Sequence, residues 1–487
     1  MSSLEFYFII FFPFVFSFLF IIFPKSIIKN YKFLGIIGAL SFVILWAMVF
    51  YEFFVNKREF GLLIESSFWN LISFDFFVKN INIPYILFNF ILVFFNYFWF
   101  WKTRIVHERF YNYLIFLLIF GSNAALLSNN LFSFLCFSEI TFLFLMLMLK
   151  TYGYRFENKD ILKIIIYNVA SFLMVACPLL YLCFKGEMLL GEYSSQLEYL
   201  KIVLPEIKGQ NSSILYILMF SMSFGVLIKC SLFPFHNWSF SAFLKSRKEL
   251  ILPLFGIFIN LGFYSLDKFI IPLTEGLSPL FETTLLIIFS LGICYNCIQL
   301  IQEKEKNIVQ FIIRLFFIHL NFCAIAFFLR QDNSKMSLLI TLYFNFFTFF
   351  TLISFISKKT KIVPLQLFFD KSIYMKEKVK NFLFLFFLLS YVGLPFLGFF
   401  NSEFVILLDL FKQNGIIGII ISFLMVIPMV KILRELSSLS PENNNGQRIQ
   451  LEMLNLKVVP VIILFGLNLI MGINPNIVFN FLKNILL

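Results

Sequence analysis

The chain has 487 residues, of which 60% are hydrophobic, only 14% are charged and 75 are phenylalanine, and its mean hydropathy is +0.90. No soluble core holds that much apolar surface without exposing large patches, so a soluble enzyme, a nucleic-acid module and a disordered chain are excluded. What remains is a polytopic membrane protein, in which the formal net charge of +12 reports topology and not nucleic-acid binding.

Apolar windows long enough to cross about 30 Å of hydrocarbon recur along the chain. They lie near 4–23, 34–54, 83–101, 111–128, 130–149, 161–184, 214–234, 249–266, 280–302, 307–329, 337–357, 381–411, 415–433 and 457–476. The expected fold is therefore all-α, with about 14 transmembrane helices. The first window has no basic flank and no small-residue cleavage site, so it reads as a retained span and not a signal peptide. The stretch 60–82 is apolar but interrupted by charge, which suggests an interfacial segment. Connections after odd-numbered windows, counted with the window-edge residues Lys163, Lys431 and Lys457, carry 26 Lys and Arg, against 11 after even-numbered windows and in the tail. The positive-inside rule then places both termini on the face opposite the compartment of synthesis.

The longest connections are 185–213 and 358–380, and the second is basic and amphipathic, suited to lying along a membrane face. The organisation expected is residues 1–110 as N-terminal helices, 111–270 and 271–435 as two halves, and 436–487 as a C-terminal helix. All seven cysteines lie in apolar runs. Cys294-x-x-Cys297 has no second CxxC or His pair, so the cysteines read as small hydrophobes and not as a metal or redox centre.

A charge in mid-span costs about 2.5–3.5 kcal/mol on insertion scales and marks a functional site by default. Glu139 and Lys229 are each central and alone in their windows, Glu403 is central in a window whose other charge, Asp409, lies at its end, and His319 sits in a tenth window that also holds Arg314. Asp267, Lys268, Asp409 and Lys431, like Arg314 by position, lie nearer window ends and read as snorkelling or helix-end charges. Lys229 precedes Pro234 by five residues; Glu403 follows Pro395 by eight, beside Gly393 and Gly398. Proline opens a helix, tolerable in lipid only where the freed backbone lines a polar cavity. Ionisable groups beside broken helices mark transporter sites near the midplane. The broken spans are the seventh and twelfth. Five crossings apart, they imply inverted five-helix repeats, spans 4–8 against 9–13.

At these residues the chain resembles a family. The string KCSLFPFHNW from Lys229 to Trp238 is similar to the seventh-span motif of the antiporter-like membrane-arm subunits of respiratory complex I, with His236 seven residues after the lysine. FSFLCFSEITFLFLMLMLKTYGYR is similar to their fifth span, which makes Glu139 and Lys229 the Glu–Lys pair of such a subunit. GLPFLGFFNSEFVILLDLF resembles the twelfth-span pattern of the chain 4 type, whereas chains 2 and 5 usually carry Lys where Glu403 stands. His319 fits an expected tenth-span His. Two departures stand out: SFSAFLKSRKEL replaces the usual Glu-Ala-Pro continuation, and Asn260 takes the place of the family's eighth-span Lys. The abundant Phe, Ile, Asn and Lys are what AT-rich codons produce, and with the resemblance they favour an organellar genome of a divergent protist.

The resemblance implies a proton-translocating subunit of NADH:ubiquinone oxidoreductase in the mitochondrial inner membrane. Lys229 would be the switch: paired with Glu139 it stays charged, and unpaired in low dielectric it releases its proton. The proton would pass by water at Asn260 and by His319 to Glu403, with His236 and Arg314 lining the route. No cofactor is expected on this chain. FMN, iron–sulfur clusters and ubiquinone would belong to partner subunits, alongside antiporter-like chains 2 and 5, accessory subunits and lipids, with no nucleic acid. The alternatives are chain 2 or 5 of the same complex, a multisubunit cation/proton antiporter subunit, and a structural subunit with a vestigial channel. The charge asymmetry generates one test. In mitoplasts a protease should reach both ends from the intermembrane side, and protection of either end would contradict the topology.

Overall fold

A computed structural model of the chain describes residues 3–23, 31–55, 61–65, 73–99, 107–153, 156–191, 193–210, 212–274, 279–302, 308–329, 332–355, 378–437 and 458–475. All fourteen apolar windows are occupied by helix in these residues. Among the described residues nine helices are long and apolar enough to cross a membrane, and four further apolar helices are shorter.

The first part of the chain comprises α1 (Ser3–Ile22), α2 (Tyr31–Val55), strands β1 (Gly61–Glu65) and β2 (Ser73–Phe77), α3 (Ile83–Trp99), α4 (Glu108–Leu127), α5 (Leu131–Tyr152), α6 (Asn158–Leu190), α7 (Leu197–Gln210) and α8 (Ser212–Lys229). It continues as α9 (Asn237–Lys245), α10 (Lys248–Ile251) and α11 (Phe258–Ser265), the last flanked by π-helical turns at Leu252–Ile257 and Leu266–Ile270, and then α12 (Ile271–Thr274). After it come α13 (Pro279–Gln302), α14 (Ile308–Phe327), α15 (Asp332–Phe355), α16 (Lys378–Tyr391), α17 (Gly398–Gln413), α18 (Gly415–Ser437) and α19 (Val458–Ile473).

Polar residues mark where these apolar helices begin. The Asn130 side chain accepts from Ser133 N at 2.6 Å and so caps α5, because the first turn of a helix leaves its N–H groups without backbone partners. Glu157 and Asp160 form a reciprocal capping box at α6, and Gly191 ends it at φ 75°, where a side chain is disfavoured.

The structure departs from the sequence reading in two connections. The stretch 60–82, expected as an interfacial segment, contains an antiparallel hairpin with Gly61 opposite Phe77 and Glu65 opposite Ser73. Among the described residues the fold is helical apart from that hairpin. Its outer edge is covered: Phe76 bridges Ser128, and Asn129 N donates to Asp75 O at 2.7 Å. A free strand edge would otherwise leave backbone groups unpaired. The connection 185–213 is also mostly helix, since α6 runs on to Leu190 and α7 buries Leu200, Val203, Leu204 and Ile207. The basic segment expected along the membrane at 358–380 lies almost wholly outside the described residues.

The chain divides into two compact units, one of residues 1–231 and 245–277, the other of residues 232–244 and 278–487. In the first, α4 packs on α5, α5 on α6, α6 on α8, α8 on α11 and α11 back on α4. In the second, α13 packs on α14, α14 on α15, α15 on α16 and α17, α17 on α18 and α18 back on α13. The same closed circuit of five neighbours occurs twice, in the same chain order. That is the repeat expected from the prolines and charges.

Candidate functional site

Each circuit contains one broken helix, and each break holds a buried ionisable side chain. α8 stops at Lys229, and the chain turns through Ser231 at φ 58° and a cis Phe233–Pro234 bond before α9 begins. A non-glycine residue in the left-handed region costs about 1–3 kcal/mol and persists only where its surroundings enforce it. Gly262 of α11 is part of that enforcement. A Cβ there would fall 2.8 Å from Cys230 N and 2.9 Å from the Lys229 carbonyl carbon, so only glycine lets α11 press on the break. The second break repeats the device between α16 and α17, with Gly393 at φ 79° and Phe396 at φ 68°. Asn468 of α19 locks it, because its Oδ1 accepts from Gly398 N at 2.9 Å and from Ser390 Oγ at 2.9 Å.

The lysine at the first break is held by two neighbours on α5. Lys229 Nζ lies 2.9 Å from Glu139 Oε1 and donates to Ser138 Oγ at 2.7 Å. The lysine side chain is 2% exposed and the glutamate 25%. The other carboxylate oxygen, Oε2, accepts from Asn168 Nδ2 of α6 at 2.5 Å. The expected Glu–Lys pair therefore forms, with Ser138 and Asn168 completing it. The sequence reading passed over both, although a polar residue in the middle of an apolar window is the signal that marks them.

At the second break Pro395 decides the geometry. In an uninterrupted helix the Tyr391 carbonyl would accept from the N–H four residues on, but that residue is Pro395 and has none. His319 Nε2 of α14 takes the freed carbonyl at 2.7 Å. A carbonyl oxygen only accepts, so Nε2 carries the hydrogen and Nδ1 is the nitrogen that gains or loses a proton. Nδ1 lies 2.7 Å from Glu403 Oε1, with side chains 2% and 8% exposed. Their angle departs from that of a hydrogen bond, which leaves a close contact between acid and base. Glu403 Oε2 reaches to 2.9 Å from where a Cβ at Gly393 would be, so the same glycine permits the turn and the approach of the carboxylate. The imidazole stacks on Tyr391 at 4.8 Å between centroids, and Tyr391 OH donates to Asn345 Oδ1.

The two pairs occupy the same two places in the repeat: the second helix of the circuit (α5, α14) and the broken helix (α8, α17). Their charges are exchanged. The acid is on the unbroken helix in the first unit and on the broken helix in the second.

The three channel-lining candidates separate. His236 and Arg314 come together around Tyr295: the imidazole packs edge-on at 5.2 Å and the guanidinium sits 5.9 Å from the same ring and 4.1 Å from that of Phe240. Both His236 nitrogens are buried without a hydrogen-bond partner among the described residues. Asn260 instead joins a polar cluster in the first unit, where its Nδ2 donates to Tyr85 O and Asn89 Oδ1, both at 3.0 Å. Asp409 lies in the last turns of α17 and pairs with Lys412 at 3.0 Å, as a helix-end charge does. The helix-end reading fails for Arg314 and Lys268, which are 8% and 4% exposed. Their windows pack against other helices on the side where these charges point, which hydropathy alone does not reveal. No group of three or more His, Cys, Asp or Glu suited to a metal ion occurs among the described residues.

Comparison with known proteins identifies the family. The family described as "NADH:quinone oxidoreductase/Mrp antiporter, TM" matches residues 128–428. NADH-ubiquinone oxidoreductase chain 4 of Acanthamoeba castellanii is 24% identical over 220 residues, 44% of this chain and 43% of that protein. NADH-quinone oxidoreductase subunit M of Escherichia coli is 21% identical over 336 residues, 68% of this chain and 65% of that one. The match thus spans less than half of the first relative and just under two thirds of the second. A chain in the structure of respiratory complex I from Thermus thermophilus with bound NADH superposes with a TM-score of 0.77, covering 98% of this chain and 97% of that chain at 18% identity. With residues 128–428 matched, the chain belongs to the NADH:quinone oxidoreductase/Mrp antiporter transmembrane family.

Proposed function

We propose that this chain is a proton-translocating membrane-arm subunit of NADH:ubiquinone oxidoreductase, of the chain 4 type, in the mitochondrial inner membrane. One observation carries the reading: an acid–base pair whose base is only 2% exposed stands at the same two helices of each five-helix circuit, beside a helix break. Buried charges that are only structural need a partner; they do not need broken helices. A carboxylate at Glu403 supports the chain 4 type, and chain 4 of Acanthamoeba castellanii is among the relatives.

In this reading the two pairs act in series. Lys229 keeps its proton while Glu139 faces it, because each charge is stabilised by the other in low dielectric. When the pair opens, the unpaired ammonium gives up its proton. Asn168 and Ser138 hold the carboxylate and the amine in place so that opening and closing are discrete. At the other pair a single proton moves between His319 Nδ1 and Glu403. Flavin mononucleotide, iron–sulfur clusters and ubiquinone belong to partner subunits, and the membrane neighbours are antiporter-like chains 2 and 5 with accessory subunits and lipid. A multisubunit cation/proton antiporter would use the same pairs without electron transfer. Flavin and iron–sulfur absorbance in the purified assembly decides between the two.

Two variants test the mechanism in the assembled complex. Lys229→Met retains the length of the side chain and removes the charge; Glu139 is 25% exposed and keeps the bond from Asn168, so assembly should persist while NADH-driven proton translocation falls about tenfold or more, as loss of a proton-transfer group does in enzymes. Unchanged translocation would contradict the switch. Glu403→Gln keeps shape and hydrogen bonding but cannot exchange a proton, and should impair turnover severely. Glu403→Asp should retain part of it through a bridging water. Equal activity of the Gln and Glu forms would remove Glu403 from the path.

A further inference from the structure

Lys268 has no place in the two pairs, yet it is a buried cation. It lies in the π-helical turn Leu266–Ile270 and is 4% exposed. Its ammonium donates to Ser128 O at 2.6 Å and to Tyr264 OH at 2.7 Å. It sits 5.2 Å and 5.5 Å from the ring centroids of Tyr264 and Phe269. All of these partners are neutral, and among the described residues no carboxylate forms an ion pair with it. Packing alone does not call for a charge here, since a Met of similar length would fill the space without desolvating an ammonium.

The residues next to Lys268 extend it into a polar seam. Asn260, Tyr264 and Lys268 are spaced by four and lie on one face of their helix. Tyr264 OH faces two acceptors, Asn82 Oδ1 at 3.0 Å and Leu126 O at 2.5 Å. One hydroxyl has one hydrogen, so it serves one acceptor at a time. Farther along, Asn260 bonds Asn89, which reaches Ser122 Oγ at 3.3 Å and Asn123 Oδ1 at 3.4 Å. Asn260 Oδ1 and Asn123 Nδ2 are buried with no hydrogen-bond partner among the described residues. The seam spans about 12 Å of helix axis at 1.5 Å per residue. At the Asn260 end it reaches the level of Gly262, which touches the Lys229 backbone. At the Lys268 end it stops under the hairpin, because Ser128, whose carbonyl holds the ammonium, is bridged to Phe76 of β2.

We infer that Lys268 is a second proton-exchanging lysine of the first unit, with the Tyr264 hydroxyl as its positioning partner, on the hairpin-covered side of the Lys229 pair. The inference rests on the proton-translocation reading above. Lys268 cycles between ammonium and amine, taking its proton from solvent water on the hairpin side and returning it to water within the seam. Tyr264 keeps its own hydrogen throughout. It accepts from the ammonium while donating to Asn82 or Leu126 O, and turns to donate to the nitrogen lone pair once the amine is neutral. The surrounding charges leave this group free to titrate. Lys79 acts on it electrostatically and is exposed; Asp267 accepts from Tyr85 OH at 3.2 Å; Asp75 of β2 accepts from Gln196 at 3.0 Å. α8, packed on the π-helical turn, brings Lys229, which is committed to Glu139. α7, packed on α12, turns Glu198, Lys201, Glu206 and Lys208 outward.

Three replacements in the assembled complex test this, with Lys229→Met as the control for the underlying reading. Lys268→Met and Lys268→Arg should both lower proton translocation about tenfold, because the first has no charge and the second never releases its proton. Lys268→His should restore part of it, with the pH profile moved to the acid side by about one unit or more, as imidazole titrates near 6.5 and an amine near 10.4. Wild-type translocation in the Met or the Arg variant overturns the inference, as does a His variant with an unmoved pH profile. Failure of all three variants to assemble assigns Lys268 a structural role and overturns it as well. If Lys229→Met translocates normally, it is the proton-pump reading that has failed, whatever Lys268 does.

Discussion

An ammonium and a carboxylate removed from water must hold each other, and the Lys229–Glu139 contact of 2.9 Å is the constraint from which much of the first unit follows. Either charge alone in an apolar bundle would be strongly unfavourable, and together they are stable only with their remaining hydrogen-bonding groups satisfied. Ser138 and Asn168 meet that need from α5 and α6. The break after Lys229 frees the lysine from the regular helix, and Gly262 lets α11 close on the break. A pair so enclosed has two states, held or released, and that is the property a proton switch requires.

The second unit solves the same problem with weaker charges. There an imidazole and a carboxylate lie 2.7 Å apart where the first unit has an ammonium and a carboxylate. Its geometry descends from one covalent fact, the missing N–H of Pro395. That absence frees the Tyr391 carbonyl, the carbonyl fixes the ring of His319, and the ring directs Nδ1 at Glu403. Exchanging acid and base between the unbroken and broken helices gives the two units opposite polarity at equivalent positions.

Much of this was legible in the sequence. All fourteen windows carry helix because a span must satisfy its backbone internally and so appears as one long apolar run. Glu139, Lys229, His319 and Glu403 stood out because a charge in mid-window has no other explanation. The hairpin at Gly61–Phe77 and the helix α7 were not legible, since short apolar runs between spans have no periodicity that separates strand from helix. Lys268 and Arg314 were misjudged for a different reason. Near a window's end a snorkelling charge and one buried against another helix look identical in hydropathy, and only the packing distinguishes them, that of α8, α11 and α12 on the turn that carries Lys268 and that of α13 and α15 on α14. Asn168 and Ser138 were missed because neutral polar residues disturb an apolar window too little to be noticed beside a charge.

The central claim is that the two pairs are consecutive steps of one proton path. Its most direct test is the number of protons translocated per NADH oxidised in sealed vesicles holding the purified complex, measured for Lys229→Met, for Glu403→Gln and for the double variant. Steps in series make the second loss redundant, so the double variant should translocate as many protons as either single variant. A double variant whose loss equals the two single losses added together would show two independent routes and contradict the account.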